Sequence, residues 1–213
     1  MDAGPWKEYG KVRLPASDIP APIRMADPNL RYQPLFELRR TDGERAVKLG
    51  PNGFSYHVLI KYCGWEQFRN ELLVVYATLF EKLGGFTITR IGFRYVNTLL
   101  KSAHYVENMG SLRVTLSVAD EPVSEPVNLN FIAERGDKHR CMVRIASKEF
   151  VMSPTGVPSD LAAFIDVDVY TPDNFTTSVK DEAISWTDEA HDFEKEQFFR
   201  LIPGPILDKL MEA

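Results

Sequence analysis

The sequence predicts an α+β fold, an antiparallel sheet of hairpins with two long amphipathic helices packed on it. Three observations carry that expectation. Short runs of alternating apolar and polar residues are separated by Gly- and Asp-containing turns, which marks hairpins rather than βαβ units. Two stretches, 65–83 and 182–199, repeat apolar residues at three- and four-residue steps, the period of one helix face. The 213 residues are 44% hydrophobic and 26% charged, the usage of a chain that buries an ordinary core.

The elements follow in chain order. Residues 1–32 hold Pro5, Pro15, Pro20, Pro22 and Pro28 and show no clear period. Proline fixes φ and removes a donor, so this segment reads as a Pro-rich extended arm, with one α+β domain from 33 to 213. Segments 35–40 and 45–49 flank Thr41-Asp42-Gly43-Glu44, a strong hairpin signal. Residues 54–61 alternate Phe54, Tyr56, Val58 and Ile60 with other side chains, as a half-buried strand does. Then Trp65, Phe68, Leu72, Val75, Tyr76, Leu79, Phe80 and Leu83 trace one helix stripe, which Gly84-Gly85 ends. Residues 86–99 read as a long strand with Ile91, Phe93 and Tyr95 on an apolar face that should meet this first helix.

The second half rhymes loosely with the first. Segments 127–134 and 139–146 flank Arg135-Gly136-Asp137-Lys138, and 164–170 alternates Asp166 and Asp168 with Ile165, Val167 and Val169. The second helix places Ala183, Trp186, Ala190, Phe193 and Gln197 on one stripe before Pro203-Gly204-Pro205, with a short turn at 206–211. Element order differs between the halves, so the likeness is a pseudo-similarity rather than a repeat.

Composition excludes several classes. No apolar run approaches the roughly 20 residues of a membrane-spanning helix, and the first residues lack the apolar core of a signal peptide. The expectation is a cytoplasmic protein, without a membrane partner, whose Cys63 and Cys141 stay reduced. The net charge of −5 is polarised: residues 160–213 carry −9 and the remainder +4. Such polarity suits a second copy of the chain or a basic protein partner, and the acidic total argues against nucleic acid.

No phosphate-binding glycine loop, nucleophile elbow or zinc-protease motif occurs. His57, His104, His139 and His191 lack metal-ligand spacing, and no cofactor is implied. Four local candidates remain. Arg90 and Arg94 flank Gly92, with Asn97 beyond, and two guanidinium forks on a strand can grip an anion. Asp166 and Asp168 share one strand face two residues apart, so they can pair across the sheet with those arginines or hold a hard divalent cation. Asp188, Glu189, Asp192 and Glu196 form an acidic helix stripe, a docking surface for a basic protein. Arg135, Lys138, His139, Arg140 and Arg144 make a basic hairpin tip.

The helix led by Trp65-Glu66-Gln67-Phe68, the strand Arg90-x-x-x-Arg94-Tyr95-x-Asn97, the run Ile165-Asp166-Val167-Asp168-Val169 and the Trp186 helix with Phe198-Phe199 together resemble a sporadically distributed family of uncharacterised bacterial proteins. The resemblance spans about residues 35–200. It implies a bacterial cytosolic origin and an α+β fold, but no activity. Members carry additional N-terminal strands where this chain has its Pro-rich segment. The leading expectation is a non-enzymatic binding module that self-associates. The alternative is a metal-dependent hydrolase or nucleotide-processing enzyme using Asp166 and Asp168 with Arg90 and Arg94. Geometry separates them: an open cleft would favour the enzyme, pairing within the sheet would not.

Overall fold

The computed structural model describes residues 6–60, 62–123, 126–152 and 156–212. The α+β class holds, with antiparallel sheets and helices in both of two compact units, residues 1–84 and 85–213.

In the first unit, β1 (Tyr9–Arg13), β2 (Phe36–Arg40), β3 (Arg45–Leu49) and β4 (Phe54–Val58) pair in sequence order as an antiparallel meander. Lys61, expected at the end of the last strand, lies outside the described residues, as do residues 1–5 of the expected arm. The rest of that arm is not simply extended. Tyr9 pairs with Arg40 and Arg13 with Phe36, so β1 is an edge strand. Its prolines punctuate rather than straighten: Pro15 opens a 3₁₀ turn, Pro15–Asp18, and Pro22 sits in the first turn of α1 (Ala21–Ala26), where a missing N–H costs nothing. The Asp-Gly turn forms as its residues dictate. Gly43 takes φ +76°, and Asp42 Oδ1 accepts the Glu44 N–H at 2.9 Å. Helix α2 (Trp65–Leu83) follows and ends on Gly84 and Gly85, with φ +50° and +64°.

In the second unit, β5 (Gly92–Leu100) leads through α3 (Lys101–His104) and the two-residue strands β6 (Ser117–Val118) and β7 (Glu121–Pro122) to β8 (Asn128–Arg135) and β9 (His139–Ala146). Then come β10 (Leu161–Tyr170), α4 (Lys180–Leu201) and α5 (Gly204–Glu212). The main sheet runs β5-β10-β9-β8, antiparallel throughout. This order differs from the meander of the first unit.

Helix α4 lies over β10 and reaches β5 and β9. The core beneath it holds Val143, Ile145, Ile165, Val167 and Val169 from the sheet and Ala183, Trp186, Ala190 and Phe193 from the helix, all buried. One expectation is corrected here. The apolar face of β5 meets α4, not α2: Phe93 and Tyr95 pack on His191, with ring centroids 5.9 and 6.3 Å apart. Helix α2 precedes the Gly84-Gly85 break, and its Phe68 stacks on Tyr56 of β4 at 6.0 Å.

Candidate functional site

Directly paired residues of an antiparallel sheet share a face, so the strand registers define the face of the second sheet turned away from α4. Its four rows, from β5 through β10 and β9 to β8, follow from the pairing. The first is Gly92-Tyr170-Arg140-Glu134 and the second Arg94-Asp168-Met142-Ile132. The third is Val96-Asp166-Arg144-Asn130 and the fourth Thr98-Phe164-Ala146-Asn128. Val151 and Val157 pack against the Phe164 end. The middle is open: Val96 is 53% exposed, Ile132 56% and Met142 36%.

Three sequence-derived candidates meet on this face. Arg94 grips Asp166 with both branches, Nε to Oδ1 at 2.7 Å and Nη2 to Oδ2 at 2.5 Å. The bond runs diagonally, because Asp168 is the residue directly opposite Arg94. The guanidinium is largely exposed while the carboxylate is largely buried. Asp168 makes no hydrogen bond among the described residues. Burial pushes its carboxyl above the ordinary value, with Arg94 and then Arg90 opposing and Asp166 adding to the rise. Arg90 lies outside β5, with its guanidinium 5.0 Å over the Tyr170 ring. Asp168 lies beside Gly92, where a Cβ would stand in ordinary contact, 3.8 Å from Oδ1.

Asn97 does not join the arginines. It is three residues from Arg94 on the same strand, so it faces the other side, paired with fully buried Ile165.

The acidic stripe is partly engaged. Glu196 pairs with Arg135, and Glu189 lies 3.9 Å from His139 and accepts from Ser185, while Asp192 is exposed and Asp188 half-buried. The basic hairpin tip is tied to the same helix. Arg135 lies over the Phe193 ring at 4.5 Å, the Lys138 carbonyl accepts the Trp186 indole N–H at 3.1 Å, and buried His139 stacks on Trp186. Arg140 sits 3.5 Å from Glu134, and Arg144 donates to Asn128 and to the Phe150 carbonyl.

Sequence reasoning missed two charged features. In the first unit Arg45, almost fully buried, donates to Glu71 of α2 at 2.8 and 3.2 Å. Tyr56 and Gln67 donate to the same carboxylate at 2.6 and 3.2 Å. Burial works to raise Glu71, but its bonds from Arg45, Tyr56 and Gln67 outweigh that and hold it below the usual range. An open depression of about 770 Å³ beside this cluster is lined in part by Cys63, Trp65 and Glu71. In the second unit Glu194 of α4 is only 5% exposed, and burial raises it to about 7, against a lowering by Lys195.

Among the described residues, no group of three or more His, Cys, Asp and Glu side chains could hold a metal ion, and no helix is long and apolar enough to cross a membrane. No family model, curated protein or solved structure matches the chain.

Proposed function

We propose that this chain is a non-enzymatic protein-interaction module that self-associates through its second unit. Two observations support the reading: the sheet face left bare by α4, where Val96, Met142 and Ile132 are exposed among Arg94, Arg140 and Arg144, suits a protein partner, and the outer strand β8 beside it leaves an open sheet edge for a second copy. Protein interfaces are enriched in Arg, Met and aromatic side chains and depleted of Lys. The four rows contain three arginines, a methionine and Tyr170, and no lysine. The enzymatic alternative needs Asp166 and Asp168 as metal ligands. Both Asp166 oxygens are already held by Arg94, so a cation would have to displace a guanidinium.

Light scattering in moderate salt over a concentration series tests the reading. The mass should rise above the 24.2 kDa of one chain, and a constant 24.2 kDa would overturn it. Magnesium-dependent turnover of a nucleoside triphosphate, abolished by Asp168→Asn, would overturn the non-enzymatic part.

A further inference from the structure

The sheet of the second unit ends on β8, and the geometry points to that edge as the self-association site: we propose that β8 pairs antiparallel with β8 of a second copy, joining two four-stranded sheets into one of eight. This rests on the self-association reading and specifies its mode.

Four observations lead there. First, β8 runs eight residues in unbroken register with β9. It contains no proline, lysine or bulge, the devices by which proteins blunt exposed edges. The other outer strands of the two four-stranded sheets are less suitable: β1 and β4 have five residues each, β1 with Lys11 and Arg13 among them, and the ladder of β5 slips between Leu161 and Ala163.

Second, the free backbone groups can be assigned. The Ser147 N–H donates to the Val127 carbonyl at 2.8 Å, continuing the β8–β9 register by one pair. Antiparallel ladders alternate residues that bond inward with residues that bond outward. Odd-numbered residues of β8 therefore bond to β9. Asn128, Asn130, Ile132 and Glu134 aim N–H and C=O at the open edge, where among the described residues no strand meets them.

Third, α4 is centred on β10, so the inward side chains Leu129 and Phe131 of β8 are only half-buried. An added strand would extend the apolar floor beneath them.

Fourth, two-fold symmetry narrows the register to those centred on one residue, and centring on Phe131 pairs the most outward groups. Antiparallel self-pairing must place a residue on the axis. With Phe131 there, Asn130 faces Ile132 and Asn128 faces Glu134 of the second copy. All four outward residues then bond, giving about eight inter-chain hydrogen bonds. The two Phe131 form a non-hydrogen-bonded pair with Cα atoms about 4.5 Å apart, and no like charges stand opposite each other.

The test uses the full chain. Asn130→Pro removes an N–H that points to the free edge, where proline is tolerated, so circular dichroism and melting temperature at low concentration should stay as in the wild type. Sedimentation velocity should show dimerisation weakened at least tenfold by Asn130→Pro and unchanged by Met142→Lys, which alters the face but not the edge. As a second measurement, in a Cys63→Ser background, Phe131→Cys should form covalent dimers under copper-phenanthroline oxidation. Ala133→Cys should not, because its symmetry mate lies more than about 13 Å away. A wild type that stays monomeric sinks self-association altogether. A dimer that Met142→Lys dissolves and Asn130→Pro spares, or equal cross-linking at 131 and 133, overturns β8 pairing while leaving self-association standing.

Discussion

Glu194 gives the chain a defined pH dependence. It lies on the core side of α4, one turn after Ala190 and next to Phe193, both buried. The thiol of Cys141 on β9 is pushed up to about 12, first by burial and then by Glu194 and Asp168. His191, one turn earlier on α4, is held below its usual value chiefly by burial, so it is neutral near pH 7 and offers no counter-charge. A carboxyl raised from 4.5 to about 7 binds more protons folded than unfolded across that window. Stability therefore falls as pH rises from about 4.5 to about 7 and is level above it. The full penalty is about 3 kcal/mol. Glu194→Gln keeps the shape without the charge, so it should be near neutral at pH 4.5–5 and stabilising by up to about 3 kcal/mol at pH 8. Urea unfolding followed by Trp186 fluorescence at the two pH values measures this. His57, His139 and His191, all lowered chiefly by burial, slope the other way below their ordinary 6.5, so the decisive quantity is the difference between wild type and variant. If that difference is the same at pH 5 and pH 8, Glu194 is not a buried acid and the reasoning fails.

The charge pairs give further tests. A double-mutant cycle should find a coupling of about 1 kcal/mol between Arg94 and Asp166 and a smaller one between Arg94 and Asp168, because the guanidinium is solvated; equal couplings would contradict the diagonal bond. Glu71→Ala takes away the bidentate partner of buried Arg45 and leaves it only Glu44, 3.7 Å away, so it should cost about 3 kcal/mol in urea unfolding, with Tyr56→Phe costing about 1 kcal/mol. Iodoacetamide should label Cys63, which is half-exposed, and spare Cys141, which is fully buried, until the chain unfolds; two labels on folded protein would refute the burial of Cys141.

What was legible in the sequence was local. The Asp42-Gly43 turn, the α2 stripe and the alternation along β10 are written in neighbouring residues, and the corresponding elements formed. The β1 strand, Tyr-Gly-Lys-Val-Arg, has too few apolar residues to signal a strand, and its surrounding prolines suggested extension when three of them open helical turns. Gly84-Gly85 was readable as a helix stop, but nothing local says that a compact unit ends there too. Residues Arg45 and Glu71 are 26 apart, and only tertiary pairing joins them. Residues 94 and 97 differ by an odd number, so on one strand they face opposite ways, as the alternation of the strand already shows. One further feature was readable and overlooked. Glu194 lies four residues after Ala190 and three before Gln197, squarely on the buried stripe, and its acidic neighbours Asp192 and Glu196 disguised it.

The β10 strand also limits what can cover the bare face. Its odd residues Ile165, Val167 and Val169 are fully buried beneath α4, while its even residues Asp166 and Asp168 turn the other way. Asp166 takes a bidentate partner from Arg94. Asp168 has only the nearby positive charge of Arg94 and Arg90 to offset its burial. Dry apolar cover over this row would strip the remaining water from Asp168 without replacing it, which costs several kcal/mol for a carboxylate left ionised. A protein docking here gains by bringing a hydrogen-bond donor to Asp168. Asp168→Asn should weaken such docking to a basic side chain while leaving β8 pairing unchanged. A partner that binds wild type and Asp168→Asn equally well, while still being blocked by Met142→Lys, would show that the face docks without using its carboxylate.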